Sequence, residues 1–248
     1  RVPQVKPELR GLSPELFNEV YGARLSLPAN RFEGQTDYAA VLAAYRKEPL
    51  LRAFFENGNG APAELGAPQA TFSLPFTAWP PAETQAQRYY LASGGALRLT
   101  RPGEANAASA FKLDPAAGDR VVLVRGDVNA KMPVYDWPPL RAGLAMAFET
   151  PALTEDQLFL GTGSVDLYLR STADDADVQV TLTELRPDGK ELYIQSGWLR
   201  ASLRALGPRS TDLWPEPTML EKDAKLLVQN EWTPARVAIT GFGHLVRK

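Results

Sequence analysis

Val165-Asp166-Leu167-Tyr168-Leu169-Arg170 and Val178-Gln179-Val180-Thr181-Leu182 are the stretches that decide the fold. In both, apolar side chains fall on every second residue. Successive side chains of a strand point to opposite faces, so this pattern buries one face and leaves the other wet. Antiparallel sheets read this way, whereas strands buried on both faces read as unbroken apolar runs. Arg186-Pro187-Asp188-Gly189 follows as a turn: proline pre-sets the bend and glycine is free to take positive φ. Leu192 and Ile194 resume the pattern, and Leu199, Ala201 and Leu203 then alternate with Arg200, Ser202 and Arg204. Val237 and Ile239 open a last strand near the end. The expected class is mainly β, a sandwich of antiparallel strands.

Upstream, Tyr89-Tyr90-Leu91 and Ala96-Leu97-Arg98-Leu99 flank Ser93-Gly94-Gly95 as a hairpin. Leu50 to Phe55 reads as a strand stopped by Asn57-Gly58-Asn59-Gly60, and Val121 to Val124 as another short strand. Residues 1–48 differ in texture. Ser13-Pro14 signals a helix start, a hydroxyl to cap followed by a proline whose missing N–H costs nothing there. Leu16, Phe17, Val20 and Tyr21 fall on one face and Gly22 closes the segment. A second helix is expected from Thr36 to Lys47, ended by Glu48-Pro49. The expected organisation is therefore a helical segment over 1–48 and a β-sandwich over 49–248. No internal repeat and no low-complexity segment interrupts it.

The 248 residues suffice to bury a sizeable core, and 44% hydrophobic with 23% charged residues is the make-up of an ordinary globular protein. The 19 Gly and 21 Pro are spread along the chain, a density of turn residues that favours many short strands over a helical bundle. A formal net charge of −2 provides no overall field toward nucleic acid or an anionic membrane, so neither is expected as a partner. No apolar run approaches bilayer-spanning length. Without Cys there is no disulfide or thiolate chemistry, and the compartment is left open. The opening Arg1-Val2-Pro3 lacks an initiator Met, which suggests a mature form or a fragment.

No complete catalytic array is legible. Ser-His-Asp hydrolysis needs a histidine base beside the nucleophile, and the one histidine, His244, sits within five residues of the end as a strand or turn residue. Gly11-Leu12-Ser13-Pro14-Glu15 approaches a nucleophile elbow but lacks the final glycine and a preceding strand, so Ser13 reads as a helix cap. Gly58-Asn59-Gly60 runs into Ala61-Pro62 and opens no helix that could hold a phosphate. Asp174, Asp175 and Asp177 lack a Ca²⁺-loop spacing and read as a solvated turn. Nothing selects a pair of carboxylates for glycosidase chemistry. Catalytic residues, metal ligands and cofactors are accordingly all expected to be none.

Of the five tryptophans, three lie beside proline: Trp79-Pro80-Pro81, Trp137-Pro138-Pro139 and Trp214-Pro215. Trp79, Trp137 and Trp214 are the candidate binding residues. They would seal the edge of the sandwich or an interdomain contact; less expectedly, the five tryptophans, Trp198 and Trp232 included, would supply a platform that stacks on sugar rings.

Several motifs are similar, in order and spacing, to those of a known family. Phe148-Glu149-Thr150-Pro151-Ala152-Leu153-Thr154-Glu155-Asp156 with Gly161 resembles its "F-x-T-P-x-L-x-x-D … G" lead-in. Val165 to Ser171 with Ala173-Asp174-Asp175-Ala176-Asp177 resembles "L-x-V-S-S-D-A-P-D-T-D", and the turn at Arg186 with Gly197-Trp198-Leu199-Arg200-Ala201 resembles "D-V-x-P-D-G … G-x-L-R-A". Trp79-Pro80-Pro81, Tyr89-Tyr90-Leu91 and Gly94-Gly95-Ala96-Leu97 resemble "W-P-P … Y-L-x-x-G-G-x-L". Together they look like the C-terminal domain of the X-Pro dipeptidyl-peptidase and cocaine-esterase-like (CocE/NonD) serine hydrolases, over roughly residues 49 to 248.

The resemblance implies a jelly-roll sandwich, similar to galactose-binding domains, that packs on a preceding α/β-hydrolase domain and helps shape its active-site rim. The parent would be a peptidase, esterase or amidase. Its triad lies before the matched region, so none of the three residues carries over and this chain alone would be inactive. Residues 1–48 would be the tail of the catalytic domain or the segment joining it to the sandwich. Gly243-His244-Leu245-Val246-Arg247 is similar to "G-H-x-x-R-x-G-x-x-L-R-L", after which a further core strand would follow. The expectation is thus a sandwich truncated at its last strand, with His244 in the turn before it and a partner in the parent's catalytic domain. Homo-oligomerisation is left open. The alternative is a free-standing carbohydrate-binding module.

Overall fold

The strictest alternation in the sequence corresponds to the best-packed part of the structure, a computed structural model that describes residues 6–22, 24–56, 69–103, 107–116 and 143–248. The expected strand at Val121–Val124 and the Asn57–Gly60 loop lie outside the described residues. Ten helices and strands are found among those described: α1 (Pro7–Tyr21), α2 (Tyr38–Tyr45), β1 (Leu51–Phe55), β2 (Phe72–Phe76), β3 (Tyr90–Ala92), β4 (Ala96–Arg98), β5 (Gln157–Leu169), β6 (Asp177–Leu185), β7 (Glu191–Arg200) and β8 (Thr233–Val246). The chain is mainly β, and every strand pair is antiparallel. It divides into two compact units, one holding α1, α2, β1 and β2, the other β3 to β8.

In the second unit β5 pairs with β8 and β6 with β7. The β6–β7 hairpin turns where expected: Gly189 takes φ of 78° and its N–H donates to the Arg186 carbonyl at 2.9 Å. The two ribbons pack face to face. Leu199 of β7 and Ala235 and Val237 of β8 are buried, with Leu167 and Leu169 of β5 and Val178 and Val180 of β6 packed against them. Each such Leu or Val contributes about 1.5–3 kcal/mol when fully taken from water. These are the inward positions of the sequence alternation, and a sandwich core results. Gly197 marks a close approach of β7 to β8, for a Cβ there would stand 2.0 Å from the Ala238 carbonyl oxygen.

The β3–β4 hairpin closes through Ser93-Gly94-Gly95, whose glycines take φ of 70° and 75°. Beside it Glu149 runs parallel to β4, accepting the Leu97 N–H at 2.7 Å and donating its own to the Gly95 carbonyl at 2.8 Å. In the first unit β1 pairs with β2, and the fully buried Phe55 stacks on Phe72 at 5.0 Å. β2 has no counterpart in the sequence reading, because Pro75 interrupts its only apolar run. Proline cannot donate to a ladder but is tolerated on an edge strand, which is what β2 offers.

Four local expectations need correction. α1 starts at Pro7, not Ser13, and Ser13-Pro14 lies inside it. Pro14 leaves the Arg10 carbonyl without its helical donor, and the Ser13 hydroxyl donates to that carbonyl at 2.7 Å instead. α2 is shorter than Thr36–Lys47, because Asp37 rather than Thr36 caps it, its carboxylate accepting the Ala39 and Ala40 N–H groups. The strand expected to run through Leu203 ends at Arg200, and Ala201–Leu203 is a 3-10 turn in which neighbouring Ala201 and Ser202 are both buried. Lastly, His244 lies within β8, opposite Phe159 of β5: of strand or turn it is the strand, and not the turn that the family resemblance implied.

Candidate functional site

His244 and Glu184 form an enclosed polar pair in the second unit. β8 carries the imidazole and β6 the carboxylate, so the contact ties one ribbon to the other. Nε2 of His244 and Oε2 of Glu184 are 2.7 Å apart, with side chains 17% and 10% exposed. Arg186 Nε stands 3.8 Å from the other carboxylate oxygen. An imidazole held by a carboxylate is half of a hydrolytic triad. Among the described residues no serine hydroxyl hydrogen-bonds this ring, and Ser13 is 3% exposed with its hydroxyl committed to Arg10 and to the Leu27 N–H. What the pair does in this geometry is hold the two layers together.

The aspartates between β5 and β6 are engaged by the protein. Asp175 accepts the Ser202 hydroxyl at 2.6 Å and the Ser202 N–H at 2.8 Å, and so organises the 3-10 turn that ends β7. Burial would raise its carboxyl, but the bonds from Ser202 and from the Ala176 N–H outweigh that and hold it below the ordinary aspartate value. Asp177 is held low by the hydrogen bonds and charge of Arg200, whose own guanidinium is raised in return. Asp174 contributes its carbonyl, which accepts the Leu227 N–H at 2.7 Å. The turn expected to be merely solvated is instead a hydrogen-bonded corner. Among the described residues no three His, Cys, Asp or Glu side chains are grouped to hold a metal ion.

Trp214 sits half-buried in a loop fastened to the β5–β8 ribbon by Arg236. That guanidinium bonds Asp166 at 2.6 Å, on the facing strand, and the Asp212 carbonyl at 2.7 Å, while Ser164 also donates to the Asp212 carbonyl at 2.9 Å. Within the loop, Thr211 and Trp214 close a turn on each other and Arg209 pairs with Glu216. Pro215 is fully buried beneath Trp214 in sequence, which fixes the tryptophan's root. Trp79 belongs to the first unit, follows β2 and is 47% exposed, whereas Pro81 is buried. Trp137 lies outside the described residues.

Three further aromatics, Tyr168, Trp198 and Trp232, are exposed. On the outward face of the β5–β8 ribbon, Tyr168 lies opposite Pro234, and the Arg170 guanidinium sits 4.8 Å from the Trp232 ring. Trp198 points outward from β7 opposite Gln179 and is 62% exposed. The signal was present in the alternation: Tyr168 and Trp198 occupy its polar phase, so they had to face outward.

Residues 47–248 match the family described as the X-Pro dipeptidyl-peptidase C-terminal non-catalytic domain. Among solved structures, the chain is similar to a CocE/NonD family hydrolase from Staphylococcus aureus, with 18% identity, a TM-score of 0.50, and 71% of this chain and 29% of that one covered. It is also similar to an aminopeptidase from the marine sediment archaeon Thaumarchaeota archaeon, with 16% identity, a TM-score of 0.52, and 80% and 31% of the two chains covered. At these identities the likeness shows a shared fold, and this chain spans under a third of either relative's length. No curated protein matches.

Proposed function

The chain belongs to the family of X-Pro dipeptidyl-peptidase C-terminal non-catalytic domains, and we propose from that premise that it is the accessory β-sandwich of a serine hydrolase. In this reading it packs on an α/β-hydrolase domain of the same parent and contributes to the rim of that domain's active site. The parent acts on peptides, esters or amides, residues 1–48 are the tail of the catalytic part or the link from it, and the sandwich has jelly-roll connectivity. The observation that carries the reading is the family match over residues 47–248. It is supported by the chemistry of the one imidazole, which is spent on Glu184 inside the sandwich.

The direct test is hydrolysis of p-nitrophenyl acetate and of an X-Pro p-nitroanilide by this chain and by its full-length parent. The parent turns over and the 248-residue chain does not. Turnover by the chain that survives repurification, and is lost in His244→Ala, would overturn the reading. Trp79, Trp137 and Trp214 are assigned to the interdomain or ligand-facing surface. If Trp79 anchors a buried interface, Trp79→Ala weakens docking by on the order of 2 kcal/mol or more. Unchanged association in the parent removes it from that surface. Saturable quenching of tryptophan fluorescence by a sugar would favour a carbohydrate-binding module instead.

A further inference from the structure

The segment that joins β7 to β8 is firmly pinned, yet it turns four apolar side chains outward while burying Leu227. Thr218 donates its N–H to the Ala205 carbonyl at 2.9 Å, and Lys225 donates to the Ser202 carbonyl at 2.8 Å. Both ends of 218–225 are therefore tied to the short 202–205 stretch that follows β7. Further on, Leu227 donates to Asp174 at 2.7 Å and Asn230 to Ser171 at 2.8 Å. Side chains alternate along extended backbone, so burying Leu227 sends its neighbours out: Leu226 is 57% and Val228 54% exposed. Met219 and Leu220, just before the 3-10 turn at Glu221–Asp223, are 58% and 49% exposed. Met219 also holds φ of 54°, a left-handed conformation that costs a side-chain-bearing residue energy and marks a position worth a functional explanation.

Such a ridge does not suit a small polar ligand. Leu and Val have no donor or acceptor to offer a sugar and Met only a weak thioether acceptor, and the flanking charges, Glu221, Lys222, Asp223 and Lys225, are of both signs, so no ion is selected. Aliphatic side chains inside a mixed polar rim fit the apolar face of another protein domain. The occupant follows from how little of its relatives the chain accounts for: 29% and 31% of two solved chains of this fold, with a family description that places a catalytic part elsewhere in the protein. We propose that Met219, Leu220, Leu226 and Val228 form the ridge on which the parent's catalytic domain docks. This rests on the accessory-domain reading and adds to it the surface used.

Hydroxyl-radical footprinting of the 248-residue chain and of the full-length parent tests it, with each residue's labelling followed across a dilution series. The ridge residues are expected to be several-fold less labelled in the parent than in the chain, at every concentration. If they label equally in both while another surface of the chain becomes protected, the ridge assignment falls and the accessory reading stands. If no residue of the chain is protected in the parent, both fall. Protection in the chain alone that disappears on dilution would make a second copy the occupant and overturn the assignment. As a second variant, L226D/V228D in the parent should speed proteolytic separation of the domains; an unchanged rate also refutes the ridge.

Discussion

Gly197→Ala puts the packing of the two ribbons to its sharpest test. The added Cβ would lie 2.0 Å from the Ala238 carbonyl oxygen, 2.9 Å from its carbon and 3.2 Å from Val237 Cγ1. Ordinary heavy-atom contact is at about 3.5–4.0 Å, so roughly 1.5 Å must be found. Neither obstacle yields easily. Ala238 is held in the β5–β8 ladder and Val237 is fully buried. The ribbons must part, and a gap of about 0.5–1 Å already forfeits a quarter to a half of each dispersion well lining it. Overpacking of this kind costs about 1–3 kcal/mol and occasionally more. The methyl returns only about 0.5–1 kcal/mol through lower strand entropy. With so close an approach the cost falls at the upper end, and a net loss of about 2 kcal/mol is expected, or a Tm lower by about 4–8 °C for a chain of this size. Urea unfolding followed by near-UV circular dichroism reads it, with Gly103→Ala as control, since a Cβ at Gly103 meets nothing within 4 Å. A Gly197→Ala midpoint indistinguishable from wild type, with the control also unchanged, would refute the close approach.

Other outcomes follow from the polar contacts and from α1. Glu184→Ala and His244→Ala should each destabilise by about 1–3 kcal/mol, because each leaves a largely enclosed partner unsatisfied. A double-mutant cycle should return a coupling of at least about 0.5 kcal/mol, and zero coupling would mean the contact is not a clamp. Ser202→Ala should cost about 1–2 kcal/mol near neutral pH by removing the hydroxyl donor to Asp175. The Asp175 carboxyl is lowered in the fold, so its contribution is present above the unfolded value of about 3.9 and is lost as pH falls through the folded one. The gap between Ser202→Ala and wild type should therefore narrow in acid, and a gap of constant size contradicts the assignment. Gly11→Ala should stabilise α1 by about 0.5–1 kcal/mol, for its Cβ meets nothing within 4 Å. Reduced far-UV helicity in that variant would sink the prediction.

What could be read from residues alone was whatever depends on neighbours in sequence. Alternation at 165–170 and 178–182 is a property of two to six adjacent side chains, and it carried the β class and the inward set Leu167, Leu169, Val178 and Val180 into the core. Arg186-Pro187-Asp188-Gly189 and Ser93-Gly94-Gly95 turned where their chemistry required, and Gly22 capped α1 as expected. The family motifs were legible for the same reason, being ordered runs of adjacent residues.

Tertiary structure decided what depends on partners far along the chain. Nothing near Ala201 announces that the strand stops there; Asp175, 27 residues away, captures Ser202 and bends the chain into a turn. Nothing near His244 names Glu184, 60 residues distant, so a histidine expected in a turn proved to be a strand residue bridging two layers. Nor could Leu226 and Val228 be told from core residues by type, because which side of an extended segment faces out is set by the bonds from Leu227 and Lys225 to residues 174 and 202. Local chemistry made the strands. Long-range hydrogen bonds settled where they end and which apolar side chains remain exposed.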